Sequence, residues 1–205
     1  MSRTPVGGVI LAGGKGTRLG NVDKALVGLS GKPLISYAIE QLRPQVDALV
    51  INANGDPERF ARFDLPVIPD ATRIALGPLS GIYAGMQALT RLAPQAKWMV
   101  TVPCDAPLIP ADLVRKLLSG AGDAVIVRAA SGGRVHHVVA AWRMALIADL
   151  ADALDSGIRK VADWAAQYGA AVRTVVFPHE PFDPFLNINR PADLAAAELI
   201  LSSQP

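Results

Sequence analysis

Cysteine is almost absent: Cys104 is the only one in 205 residues, which excludes an internal disulfide framework and points to a reducing compartment, the cytoplasm. Aromatic residues are scarce at 5%, no basic run occurs, and the formal net charge is only +2. An extended nucleic-acid surface needs clustered cations and stacking rings, so none is expected. No stretch approaches the roughly 18 uninterrupted apolar residues of a membrane span. An apolar run begins already at Val6, which predicts no signal peptide. Internal repeats and low-complexity linkers are also missing. What remains is 51% hydrophobic, and a chain of this length can bury roughly 70% of its unfolded surface. One domain over residues 1–205, binding small anionic molecules, is the expected organisation.

The most informative stretch starts at Val9 and reads Ile-Leu-Ala-Gly-Gly-Lys-Gly-Thr-Arg-Leu-Gly to Gly20, with Lys24 four positions on. Residues 6–11 predict a buried strand that runs into the pair Gly13 and Gly14. Glycine removes the Cβ that would hold a ligand away, so successive N–H groups can converge on phosphate oxygens. Arg18 adds a planar fork and Lys24 a point charge. Backbone donors with two cations suit a triphosphate. The better-known phosphate loops do not match: Val9 stands where a Walker A glycine belongs and Gly16 where its magnesium-binding hydroxyl belongs. Leu19 replaces the third glycine of a dinucleotide fingerprint.

Further along, apolar runs alternate with helical spacing. Pro33 with Leu34, Tyr37, Ala38 and Leu42 predicts a helix ending at Pro44. Residues 48–51, 67–68 and 98–102 read as strands covered on both faces, each followed by a polar side chain: Asn52, Asp70 and Asp105. In open parallel sheets ligands bind beyond the strands' carboxyl ends. Asn52 fits either a turn or a ligand contact, and Asp70 fits either a base contact or a contact to the loop. Gly77 to Gly81 opens a helix expected from about Ile82 to Leu92. Asp105, fixed between Pro103 and Pro107, is the candidate Mg²⁺ ligand, because Mg²⁺ is usually held by one or two carboxylates plus substrate phosphates. Pro110 to Asp112 starts the next helix and Gly120 ends it. Cys104 is read as a packed small residue.

In the second half, residues 124–127 and 135–141 predict a hairpin around Ser131 to Gly133, giving the sheet an antiparallel member. Arg128, Arg134, His136 and His137 decorate it and would suit an acceptor carrying a phosphate. Leu146, Ile147, Leu150 and Leu154 mark a core helix, Val161 and Trp164 another, and residues 171–177 a last strand. Arg159 and Lys160 fit solvated charges as well as acceptor binding. From Phe185 to Asn189, period two places Asn187 and Asn189 opposite Leu186 and Ile188. Asn189 is either a helix cap or a site residue.

The string LAGG-x-x-x-R-L-G-x-x-x-K, together with G-P-L-x-G at Gly77, C-D-x-P at Cys104 and N-x-N-x-P ending at Pro191, resembles the molybdenum cofactor guanylyltransferases. His137 replaces a proline of that family and Arg190 its usual small residue. The resemblance implies an α/β, Rossmann-like nucleotidyltransferase fold: a mostly parallel central sheet with an antiparallel member and helices on both faces. It implies an N-terminal half that binds nucleotide and a C-terminal half that binds the acceptor. By this resemblance Arg18, Lys24 and Asp105 are catalytic, and Asp105 is the metal ligand. Leu11, Ala12, Gly13, Gly14, Lys24, Asn52, Asp70, Gly77 and Asp105 contact GTP or its Mg²⁺, and Asn187 and Asn189 contact the molybdopterin side. The implied reaction moves GMP from GTP to the terminal phosphate of molybdopterin. Proteins that deliver and insert the cofactor are implied partners, and the chain is expected to be a monomer. The rivals are a molybdopterin cytidylyltransferase, a sugar-phosphate nucleotidylyltransferase and a non-catalytic GTP-binding regulatory module.

Overall fold

The computed structural model describes residues 4–13, 15–16, 22–70 and 77–203. Its frame is a seven-stranded sheet built from β1 (Val6–Leu11), β2 (Ala48–Asn52), β3 (Val67–Ile68), β4 (Trp98–Pro103), β5 (Ile126–Ser131), β6 (Arg134–Arg143) and β7 (Val172–Val176). The spatial order is β7-β5-β6-β4-β1-β2-β3. Every neighbouring pair is parallel except those of β6, which runs antiparallel to both β4 and β5. Helices α1 (Leu34–Leu42), α2 (Pro78–Leu92), α3 (Leu113–Ser119), α4 (Ile147–Asp155), α5 (Val161–Ala166) and α6 (Pro191–Ser202) surround it.

Side-chain alternation along the strands divides the core into two layers. Val6 and Ile10 of β1 join Ile35, Ala38, Leu113 and Leu117, so α1 and α3 cover one face. Val9 joins Ile82, Met86, Leu150 and Trp164, so α2, α4 and α5 cover the other. Helix α2 lies unusually close to the strands because two of its contact positions lack a Cβ. One added at Gly85 would come within 2.6 Å of Val9, and one at Gly81 within 2.2 Å of the Asn52 amide oxygen. The tip of α2 is thereby pressed against the end of β2. Helix α6 belongs to neither layer; Ala197 packs with Leu29, Leu34 and Ile188 in a separate small cluster.

The expected parallel sheet with one antiparallel strand is present, and β4 is its middle strand. Several boundaries differ. Helix α2 starts at Pro78 rather than near Ile82, because Pro78 takes the first-turn position where its missing N–H costs nothing. Lys24–Leu26 form a 3₁₀ turn, because the Asp23 carboxylate accepts the Ala25 N–H at 3.1 Å. Ser131 continues β5, leaving Gly132 and Gly133, both with positive φ, to make the hairpin turn. Asn189 does not cap α6: the Asp193 carboxylate reaches back to the N–H groups of Asn189 and Arg190 at 2.7 and 2.8 Å. That cap leaves the Asn189 side chain available elsewhere.

Candidate functional site

Strands β1, β2 and β4 end side by side. Leu11 is in register with Asn52 on one flank and Pro103 on the other. Beyond the strands the backbone stays stitched: Ala12 N–H donates to the Asn52 carbonyl at 2.8 Å and Cys104 N–H to the Leu11 carbonyl at 3.0 Å. This fixes Gly13, Asn52 and Asp105 around one mouth. A cavity of about 320 Å³ opens there, lined by residues that include Leu11, Gly13, Lys24, Asn52, Asp70, Gly77 and Asp105.

Lys24 is the hub of its floor. Its ammonium donates to the Asp105 carboxylate and, at 2.7 Å, to Oδ1 of Asn189. The Lys24 and Asp105 side chains are only 12% and 15% exposed, so their attraction is little screened by solvent. The 3₁₀ turn that carries Lys24 is itself anchored, since Arg59 Nε donates to Asp23 at 2.6 Å. Asn189 arrives from the opposite end of the chain; the Ile188 N–H donates to the Asp105 carbonyl at 2.9 Å and holds the two segments together.

The opposite wall is built from amides and a carboxylate. Asn52, buried under Gly81, donates from Nδ2 to Asp70 Oδ1 at 3.1 Å. Asn54 donates to the other Asp70 oxygen at 2.8 Å and accepts the Asp70 N–H at 2.9 Å. Asp70 is thus gripped on both oxygens, with lone pairs still open to further donors. Asn54 was not singled out from the sequence, although its spacing of two from Asn52 places it on the same side of the strand end. Gly77 takes φ +75, a left-handed value that favours glycine, and its missing Cβ would face the Arg159 carbonyl at 3.7 Å. Gly77 therefore lies between the cavity and the segment after α4.

Of the expected site residues, Gly14 and Arg18 lie outside the described residues. Leu11, Gly13, Lys24, Asn52, Asp70, Gly77 and Asp105 line the cavity, and Ala12 is tied to its rim. Asn189 reaches the floor through Lys24, whereas Asn187 meets it only through its carbonyl, 3.5 Å from Asn189 Nδ2. The cationic group on the hairpin does not converge on the cavity. Arg128 turns to Thr174 at 3.0 Å, and His136 is buried in a hydrogen bond to Ser131 at 2.8 Å. Arg159 donates to the Leu154 carbonyl at 2.7 Å at the end of α4. The Cys104 thiol is buried, and burial followed by the Asp105 charge pushes its pKa up, so the inert thiol is the form present.

A cavity lined by carboxylates, amides and the Lys24 ammonium at the carboxyl ends of parallel strands places the protein in the class of open α/β proteins that take their ligand at that edge. Comparison then gives the family: the chain belongs to the MobA-like NTP transferase domain family, which it matches over residues 8–171. A molybdenum cofactor guanylyltransferase of Rhodopseudomonas palustris (strain BisB5) is 46% identical over 195 residues, covering 94% of this chain and 92% of the relative. Another, from Cereibacter sphaeroides, is 45% identical over 195 residues, covering 95% and 96%. Molybdopterin-guanine dinucleotide biosynthesis protein A from Archaeoglobus fulgidus shares the fold, with a TM-score of 0.75 at 23% identity over 97% of this chain and all of that one.

Proposed function

We propose that this nucleotidyltransferase moves GMP from GTP to the terminal phosphate of molybdopterin. A phosphate oxygen of the acceptor attacks the α-phosphorus in line, the bond from that phosphorus to the oxygen bridging to the β-phosphorus breaks, and pyrophosphate leaves. The attacking oxygen is already anionic, so no general base is needed. Positioning and charge neutralisation carry the reaction. The observation that carries this reading is Lys24, whose ammonium joins Asp105 from the nucleotide half to Asn189 from the acceptor half at the cavity floor.

The same floor suits a divalent cation. An ammonium already occupies a position between a carboxylate and an amide oxygen, and both are hard donors. Among the described residues no cluster of three or more His, Cys, Asp or Glu side chains could hold a metal by itself. A single carboxylate completed by substrate phosphates and water is the usual way Mg²⁺ is held. Asp105 would hold it, and the ion when bound offsets charge on the triphosphate. Lys24 would contact the phosphate oxygens, a role the family resemblance also gives to Gly13, Gly14 and Arg18. Asp70, held by Asn52 and Asn54, offers acceptors to the paired N1–H and N2–H donors of guanine. Residues 1–205 act as one domain, with the nucleotide half and the acceptor half meeting at Lys24.

The test is pyrophosphate release with GTP, Mg²⁺ and molybdopterin, run beside CTP and a sugar phosphate. GTP with molybdopterin is expected to be the productive pair. Asp105→Ala is expected to lower the rate at least ~100-fold while keeping the native circular dichroism, as removal of a key electrostatic stabiliser does elsewhere. Turnover with CTP alone, or full activity in Asp105→Ala, would overturn the assignment.

A further inference from the structure

The buried Ser131 and His136 and the half-buried Asp183 form a polar chain away from the cavity. His136 Nε2 lies 2.8 Å from the Ser131 hydroxyl, which lies 2.6 Å from Asp183 Oδ1. A carboxylate can only accept, so the single hydroxyl proton goes to Asp183 and the imidazole donates to the hydroxyl oxygen. The hydroxyl is therefore in the middle and is not activated as a nucleophile; the trio is no hydrolytic triad. Ser131 and His136 are 1% and 6% exposed, so polar groups here are costly unless every partner is present.

The chain continues toward the site. The same Asp183 oxygen accepts the Phe185 N–H at 2.9 Å. The Phe185 ring sits 4.8 Å from the His136 ring and 5.0 Å from the Phe177 ring. Three residues later Ile188 bonds the Asp105 carbonyl, and Asn189 accepts from Lys24. Residues 186–189 have no regular secondary structure. Their place is set by these bonds, by the Asp193 carboxylate on the Asn189 N–H and by the buried Phe185 and Ile188 rather than by a sheet or helix ladder.

We infer that Ser131, His136 and Asp183 are positioning residues, a latch that ties the β5–β6 hairpin to residues 185–189 and so sets Asn187 and Asn189 for the acceptor. This rests on the proposed guanylyl transfer for its kinetic consequence, but not for its structural one. Amide hydrogen exchange of residues 185–189, the GTP dissociation constant, and the KM for molybdopterin are measured in Ser131→Ala, Asp183→Ala and His136→Leu, with Asp183→Asn and His136→Gln as conservative counterparts. The latch predicts faster exchange in 185–189 and an acceptor KM raised roughly tenfold in the first three, with GTP affinity within about twofold of the parent. Asn at 183 keeps a carbonyl acceptor and Gln at 136 keeps an N–H donor, so both are expected to restore much of each value. Unchanged exchange and KM in the disrupting variants, or an equal loss of GTP affinity, would overturn the latch. If the parent protein does not transfer guanylate to molybdopterin, the functional reading fails, and the exchange rates with the GTP constants still decide the latch.

Discussion

The cavity's lining at the strand ends and the strap that reaches its floor through Asn189 are held in different ways. The lining at the strand ends rests on backbone: β1, β2 and β4 are locked in register, and their exits are joined by the Ala12 and Cys104 amides. The strap behind the cavity floor, residues 183–190, is held largely by side chains from Ser131, Asp193 and Lys24 and by the Ile188 amide. Backbone ladders are cooperative and tolerate most substitutions. A strap held by single hydrogen bonds does not, and it opens locally at less cost than a sheet strand. Under the proposed reaction, a rigid lining takes the nucleotide and a more yielding strap admits and releases the larger acceptor.

That contrast can be broken from either side. The largest effect is expected from Gly81→Ala, which drives a Cβ against the Asn52 amide and forces α2 or Asn52 to move. Overpacking of this kind costs roughly 1–3 kcal/mol. Thermal unfolding should fall accordingly, and calorimetric GTP affinity should weaken more than acceptor KM. Asp193→Ala should do the reverse. Losing the carboxylate that accepts two N–H groups before α6 is expected to cost about 1 kcal/mol, visible as a lower unfolding temperature, with acceptor KM raised and GTP affinity nearly unchanged.

The smallest expected effect is a pH dependence of stability centred on the hairpin. Burial lowers the pKa of His136 below its ordinary 6.5; Asp183 opposes the shift, while Arg134 and His137 add to it. Burial, with Arg128, lowers His137 as well. A histidine depressed in the fold takes up its proton more readily when unfolded, so its stabilisation is complete above about pH 6.5 and is lost as pH falls through the folded value. Unfolding temperatures between pH 7.5 and 5 should decline, and the decline should be shallower in His136→Gln.

How much of this could be read in the sequence follows the same division. The apolar runs ending at Asn52, Asp70 and Asp105 marked strands and their ligand-facing exits, because run length and a terminal polar residue are local signals. The hairpin and its antiparallel sense were legible from Gly132 and Gly133 for the same reason. Asn54 could have been found from its spacing to Asn52. Nothing local could pair Ser131 with Asp183, or Arg59 with Asp23, since such pairs arise only when distant segments are folded together. The choice between Asn189 and Asp193 as the cap of α6 is likewise tertiary. Both can accept a backbone N–H, and Lys24 draws the Asn189 oxygen into the floor. His136 looked suited to a phosphate-bearing acceptor because of its type and neighbours; the fold buries it against Phe185, a contact no local signal gives.

The most direct test of the account is the affinity of the complex with a non-hydrolysable GTP analogue for Mn²⁺, followed by loss of the free-ion paramagnetic resonance signal, in the parent protein and in Asp105→Asn. If the floor formed by Lys24, Asp105 and Asn189 receives the metal-bound triphosphate, Mn²⁺ affinity should fall at least ~10-fold in the variant, about 1.4 kcal/mol, while the analogue still binds. Equal Mn²⁺ affinity in the two proteins would place the metal and the reacting phosphates elsewhere and contradict the account.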